Sequence, residues 1–196
     1  MRAVIQRVRR ARVTIPGSPS TSVAPAEYAA DRLMVGSGAP TGATTGTPVG
    51  RAMDMPVAGP VSTEVTTGAI AAGIVIFVGV SKDDTPEAAA YVAGKTAQLR
   101  IFEDAQGKMN LSLLETGYSA LVISQFTLYG DVRHGRRPGF DRAAPAAEAE
   151  PLYQEFVRCL RTLGVRVETG VFQAHMEVEL VNDGPVTILI DSEKKF

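Results

Sequence analysis

A single cysteine, Cys159, and two histidines leave this 196-residue chain without an internal disulfide or a thiolate zinc cluster, and with little for a histidine metal site. Tryptophan is absent and aromatic residues make up only 6%. No apolar run approaches the roughly 20 residues that cross a bilayer. The opening stretch MRAVIQRVRRARVTI alternates charge with apolar residues, unlike a signal peptide. Lys plus Arg is 20 and Asp plus Glu is 21, so a basic field over the whole protein is excluded, although local basic patches are not. The motifs G-x-x-x-x-G-K-[ST], G-x-G-x-x-G after a strand, H-E-x-x-H and G-x-S-x-G are also missing. The expectation is a single domain over residues 1–196 in a reducing, cytoplasmic setting, with no membrane partner, no cofactor and no metal.

One segment departs from ordinary globular composition. Residues 16–62 hold 7 of the 12 prolines, 7 of the 19 glycines and only five charged residues. Such a stretch buries too little apolar surface to offset its ordering entropy, and it reads as a partly ordered insertion at a hairpin tip. Within it, Ala24–Val35 is the one span that suits a short helix. Outside it the pattern is regular. Ala3–Val8 and Ala11–Ile15 read as strands, and the continuous apolar run Gly73–Val80 reads as a strand buried on both faces. Thr85-Pro86-Glu87 is a helix start, with a capping hydroxyl, a proline and an acid in order, and that helix should reach about Leu99. Ala120–Phe126 reads as another buried strand. Leu152, Phe156, Leu160 and Leu163 mark an amphipathic helix ending at Gly164. Val165–Glu168, Met176–Val181 and Val186–Ile190 complete the strands. The sum is an α+β fold, a β-rich layered domain with two main helices packed on the sheets.

Three segments are unusual for pure scaffold. In Ser124-Gln125-Phe126-Thr127-Leu128-Tyr129-Gly130-Asp131 an apolar strand runs into a cluster of hydrogen-bonding side chains, where a rigid strand end can present them to a cleft. Asn182-Asp183-Gly184-Pro185 between two apolar runs reads first as a hairpin turn, although Gly-Pro also permits a cis bond. Arg133, His134, Arg136 and Arg137 form a basic loop, and Arg2, Arg7, Arg9, Arg10 and Arg12 crowd the start, so a polyanionic partner is one reading and a solvated charge run the other. His134 and His175 read as surface or structural residues, and Cys159 as an inert packed thiol.

MRAVIQRV at 1–8, FEDAQGKMN at 102–110, SQFTLYGD at 124–131, GRRPGF at 135–140 and NDGPVT at 182–187 resemble, in the same order, the D-aminoacyl-tRNA deacylases. The resemblance covers residues 1–15 and about 64–192. It implies a homodimer that hydrolyses the ester joining a D-amino acid, or mischarged glycine, to the 3′-terminal adenosine of tRNA, as a chiral proofreading step for translation. It assigns Ser124, Gln125, Phe126 and Thr127 to the catalytic pocket. It assigns Gly184 and Pro185 to a cis dipeptide that reaches across the dimer and excludes L-amino acids. Arg133, Arg136 and Arg137, following the pocket strand closely, are the expected tRNA contacts. The family usually joins the first two strands by a short turn, so residues 16–62 are where this chain departs from it.

The residues leave two routes to hydrolysis. Thr127 could act as nucleophile, although nothing near it in sequence activates it. In the other route water attacks with help from the tRNA's 2′-hydroxyl, and backbone N–H groups near Phe126 and Thr127 stabilise the oxyanion. The resemblance favours the second. A tRNA-binding homologue that has lost catalysis is the competing reading, and the unchanged SQFT and GP segments speak against it.

Overall fold

The computed structural model describes residues 1–17 and 65–195. The insertion reading for 16–62, Pro16 and Gly17 apart, and the helix expected over Ala24–Val35 lie outside the described residues. The fold is α+β. Six strands make one large sheet: β1 (Arg2–Ile15), β2 (Val65–Ile70), β3 (Gly73–Gly79), β6 (Ser119–Ser124), β7 (Arg166–Thr169) and β8 (Glu177–Asp191). The short strands β4 (Phe102–Glu103) and β5 (Met109–Leu111) form a separate hairpin. Among the described residues three α-helices accompany them, α1 (Pro86–Gln98), the single turn α2 (Leu113–Thr116) and α3 (Ala146–Thr162).

The two strands expected over Ala3–Ile15 are one continuous strand. Residues 2–8 of β1 pair antiparallel with β3, and residues 11–15 pair antiparallel with β2. The pair Ile15–Val65 closes this ladder, so the chain on either side of the Gly/Pro-rich stretch meets at neighbouring strand ends. β3 pairs parallel with β6, and β6 parallel with β7. Parallel neighbours need crossovers, and the intervening helices α1 and α3 supply them.

Alternation along the central strands explains their unbroken apolar runs. Ile74, Ile76 and Val78 of β3 and Ala120 and Val122 of β6 pack with α1 and α3 through Val92, Phe156 and Leu160. Val75 of β3 and Leu121 and Ile123 of β6 point the other way, into a second cluster with Val8, Val13 and Ile70. Both faces of these two central strands are thus dry, which is why they lack polar alternation. Helix α1 starts as read: the Thr85 side chain accepts from Ala88 N–H and Pro86 occupies the first turn. Helix α3 ends in a left-handed glycine, Gly164, at φ +95°. No helix among the described residues is long and apolar enough to cross a membrane.

The hairpin expected at Asn182–Pro185 does not exist. The runs Met176–Val181, Met176 apart, and Val186–Ile190 belong to one strand, β8, which pairs antiparallel with β1 along both halves. Gln6 pairs with Thr187 and Val8 with Asn182, so residues 183–186 bulge outward opposite Arg7. Turn chemistry in the sequence therefore marks an outward bulge, because β1 is long enough to hold both flanks of it in one ladder.

Candidate active site

Strand β6 ends at Ser124, two residues earlier than read, and the chain passes through Gln125 into a 3₁₀ turn, Phe126–Tyr129. Ser124 pairs with Val78 of β3, and Gln125 N–H donates to the Val78 carbonyl at 2.7 Å, so the ledge is fixed to the buried strand. Beyond this anchor the segment opens outward: Phe126 is 56% exposed, whereas Tyr129 at the other end of the turn is 3% exposed. Among the described residues, the N–H groups of Phe126 and Thr127 make no hydrogen bond, while Leu128 N–H donates to Gln125 O at 3.3 Å. Gln125 Nε2 donates to Thr127 Oγ1. The Thr127 hydroxyl thus accepts from an amide, and no histidine or carboxylate among the described residues hydrogen-bonds to it.

The basic loop is brought to this ledge. Asp131 and Gly139 exchange backbone hydrogen bonds of 2.7 and 2.9 Å, which closes residues 132–138 into an exposed loop. Phe140, just past it, packs edge-on against Phe126 with ring centroids 5.0 Å apart. The GRRPGF segment is therefore the support of the Phe126 ring, a role that its Gly-Arg-rich composition does not advertise. Arg133 is committed locally: its Nε lies 2.9 and 3.0 Å from the two Asp131 carboxylate oxygens. That contact holds the Asp131 carboxyl well below the usual carboxylate range. Arg136 and Arg137 lie exposed in the loop.

Gly184 and Pro185 form the exposed outer part of the β8 bulge, joined by a cis peptide bond. The side-chain hydrogen bonds and ion pairs of residues 182–187 among the described residues run within the bulge and to Gln6, Arg7 and Arg9, not to Ser124–Thr127 of the same chain. The two assigned groups are thus presented separately by one chain.

Arg7 holds the bulge and is buried, so it is neither the solvated charge nor the polyanion contact that the sequence reading offered for the arginine cluster. Its buried guanidinium donates to Asp183 O at 3.2 Å and to Ile101 O at 2.6 Å. Its Nε also lies 3.4 Å from Asp183 Oδ2, and its Nη2 3.8 Å from Glu103 Oε1. A Cβ on Gly184, whose φ is +120°, would lie 3.0 Å from Arg7 Nη2. A signal was available: Ala3, Ile5 and Arg7 are alternate residues of β1, in phase with Met1 just before it, and all four are buried. A charge in phase with a core face requires partners. Elsewhere in the arginine cluster, the exposed Arg9 and Arg12 pair with Asp183 and Glu179 across the β1–β8 ladder.

Comparison with known proteins follows the same residues. The family model described as D-Tyr-tRNA(Tyr) deacylase matches residues 57–191. The D-aminoacyl-tRNA deacylase of Symbiobacterium thermophilum is 66% identical over 129 residues, which is 66% of this chain and 85% of that protein. The D-aminoacyl-tRNA deacylase of Thermotoga petrophila is 58% identical over 133 residues, 68% of this chain and 89% of the relative. Among solved structures, the c-Myc DNA unwinding element binding protein superposes with a TM-score of 0.70 at 30% identity, covering 97% of this chain and 98% of that one. A probable eukaryotic D-amino acid tRNA deacylase shares the fold with a TM-score of 0.62 at 16% identity, covering 96% of this chain and 97% of that one.

Proposed function

This chain belongs to the D-Tyr-tRNA(Tyr) deacylase family, and from that premise we propose that it hydrolyses the ester between a D-amino acid, or mischarged glycine, and the 3′-terminal adenosine of tRNA. The observation that carries the mechanism is the turn Phe126–Tyr129 at the end of a buried strand, whose first two residues are exposed and whose first two N–H groups make no hydrogen bond among the described residues. Donors fixed in this way meet developing negative charge without reorganising, and one such donor typically contributes about 100- to 1,000-fold to kcat. Water adds to the ester carbonyl carbon, with the terminal 2′-hydroxyl of the tRNA assisting. The oxyanion is received by the Phe126 and Thr127 amides. The bond to the 3′-oxygen then breaks, that oxygen takes a proton, and the products are the free amino acid and tRNA. Thr127 is not the nucleophile in this scheme, because its hydroxyl accepts from Gln125 and has no base beside it. Ser124 and Gln125 carry the turn and shape the pocket.

Chiral selection falls to Gly184 and Pro185 of a second protomer in a homodimer. A pocket that takes D-residues of many sizes cannot select by side-chain fit, but it can block the direction in which an L side chain points. Backbone held by a buried arginine suits that task better than a mobile side chain. Support for the second protomer is that Gly184 and Pro185 are exposed and that, among the described residues, the bulge makes no hydrogen bond to Ser124–Thr127 of its own chain. Arg136 and Arg137, with Arg133 behind them, face the acceptor-end phosphates. Intact SQFT and GP segments argue against an inactive tRNA-binding homologue. The test is substrate whose tRNA ends in 2′-deoxyadenosine, which should be hydrolysed far more slowly than its ribose counterpart. Unchanged turnover, or an acyl-Thr127 adduct trapped by acid quench, overturns the mechanism.

A further inference from the structure

Arg2 stands in β1 directly opposite Gly79 on one neighbouring strand and Asp191 on the other. The turn Phe126–Tyr129 sits against Gly79: a Cβ there would come within 3.0 Å of Leu128 Cβ and 3.1 Å of Gln125 O. From the adjoining strand, Arg2 reaches the back of the same turn. Its Nη1 donates to Leu128 O at 3.1 Å, and its Cζ lies 4.6 Å from the centroid of the Tyr129 ring. Its Nε lies 3.5 Å from Asp191 Oδ2, on a carboxylate whose side chain is fully buried. A second guanidinium, that of Arg142, lies 5.7 Å from the Tyr129 ring and is held by Glu193.

We infer that Arg2 is a positioning residue for deacylation: by clamping the carbonyl end of the Phe126–Tyr129 turn it fixes the direction of the free N–H groups at the other end. The inference rests on the deacylase reading above. A turn of four residues has few internal hydrogen bonds, among them Leu128 N–H to Gln125 O and Gly130 N–H to Thr127 O, too few to hold its own orientation. External contacts must supply the rest. The front is held by the Gln125 N–H bond to Val78 O, and the back by Arg2. The planar arginine fork serves a carbonyl, a carboxylate and an aromatic face at once, which a lysine cannot do. Misplacement of a reacting geometry by about 1 Å can cost on the order of 100-fold in rate.

Deacylation of D-tyrosyl-tRNA by the full wild-type chain, Arg2→Met and Arg2→Lys, with thermal unfolding of each, tests this. For Arg2→Met the expected result is kcat lower by about 10- to 100-fold at temperatures well below its Tm, with KM within about 3-fold of wild type. Arg2→Lys should recover part of the loss. Wild-type kcat in both variants overturns the inference. So does a raised KM with kcat kept, which would make Arg2 a tRNA contact, or a loss that vanishes once rates are expressed per folded molecule. If Arg2→Met does not fold, Arg2→Lys decides, and wild-type kcat in it overturns the inference. A wild-type chain that does not deacylate overturns the deacylase reading and this inference together, whereas an active wild type with unaffected variants overturns the inference alone.

Discussion

Replacing Arg7 by methionine should separate chiral selection from catalysis. Methionine keeps much of the apolar stem and removes the guanidinium that joins the Gly184–Pro185 bulge to the rest of the fold. The side chain is 7% exposed, so its hydrogen bonds to Ile101 O and Asp183 O are not replaced freely by water. Hydrogen bonds from a charged donor contribute about 1.5–3 kcal/mol each. Removing a buried cation also removes its desolvation cost, which offsets part of that loss. A net destabilisation of about 2–4 kcal/mol follows, or roughly 5–15 °C in Tm at about 2–4 °C per kcal/mol for a domain of this size. The bulge, released from Arg7, should then lose definition as a wall. Since about 1.4 kcal/mol is a factor of ten, the kcat/KM ratio of D- over L-tyrosyl-tRNA should fall by about 10- to 100-fold. Turnover of the D-substrate should change by less than about 3-fold, because a clash against L-residues does not act on D-residues. The assay is paired deacylation of D- and L-tyrosyl-tRNA, with unfolding followed in parallel. A folded Arg7→Met variant that keeps the full D-over-L ratio refutes the reasoning, as does one that loses D- and L-activity in step.

Thr127→Ala should retain most activity, whereas replacing the Thr127 amide by a backbone ester should cost about 100-fold or more in kcat; the reverse order would make the hydroxyl the working group. Neutralising Arg136 and Arg137 together should weaken tRNA binding and flatten its log–log salt dependence by about one unit per lost phosphate contact, read from binding isotherms at several salt concentrations. Replacing residues 16–62 with a short Asn-Gly turn should leave a folded, active dimer, because Ile15 and Val65 already pair; loss of dimerisation on sizing would place the insertion in the interface. Burial raises the phenol of Tyr129 and pushes that of Tyr153 up to about 12. Above their ordinary value of about 10 the unfolded chain loses these protons first, so stability is whole below about pH 10 and falls as pH rises, by about 1.4 kcal/mol per unit per tyrosine. Tyr153→Phe should roughly halve that slope between about pH 10 and 12 in urea unfolding.

What was legible in the sequence follows from which interactions are local. The Thr85-Pro86 helix start and the left-handed Gly164 are single-turn signals, and both hold. The unbroken apolar run of β3 reports two buried faces, and alternation places its residues in two clusters. Asn182-Asp183-Gly184-Pro185 misled because turn chemistry is the same whether the chain reverses or bulges; only pairing with the distant β1 decides, and that is long-range. The same limit hid Arg7 and Arg2, whose partners Asp183, Ile101, Leu128 and Asp191 lie about a hundred residues or more away along the chain. Within the candidate site, the SQFT and GP segments were legible as motifs. Their supports, Gly79, Phe140 and the two arginines, were not, because each supports through contacts with residues distant in the chain that no local pattern encodes.

The most direct measurement is the rate at which the purified wild-type chain releases amino acid from D-tyrosyl-tRNA and from L-tyrosyl-tRNA, each against spontaneous hydrolysis without protein. The expected result is rapid release from the D-substrate and a rate near background for the L-substrate. Binding of tRNA with D-ester hydrolysis no faster than background would contradict the deacylase reading and leave a tRNA-binding protein in its place.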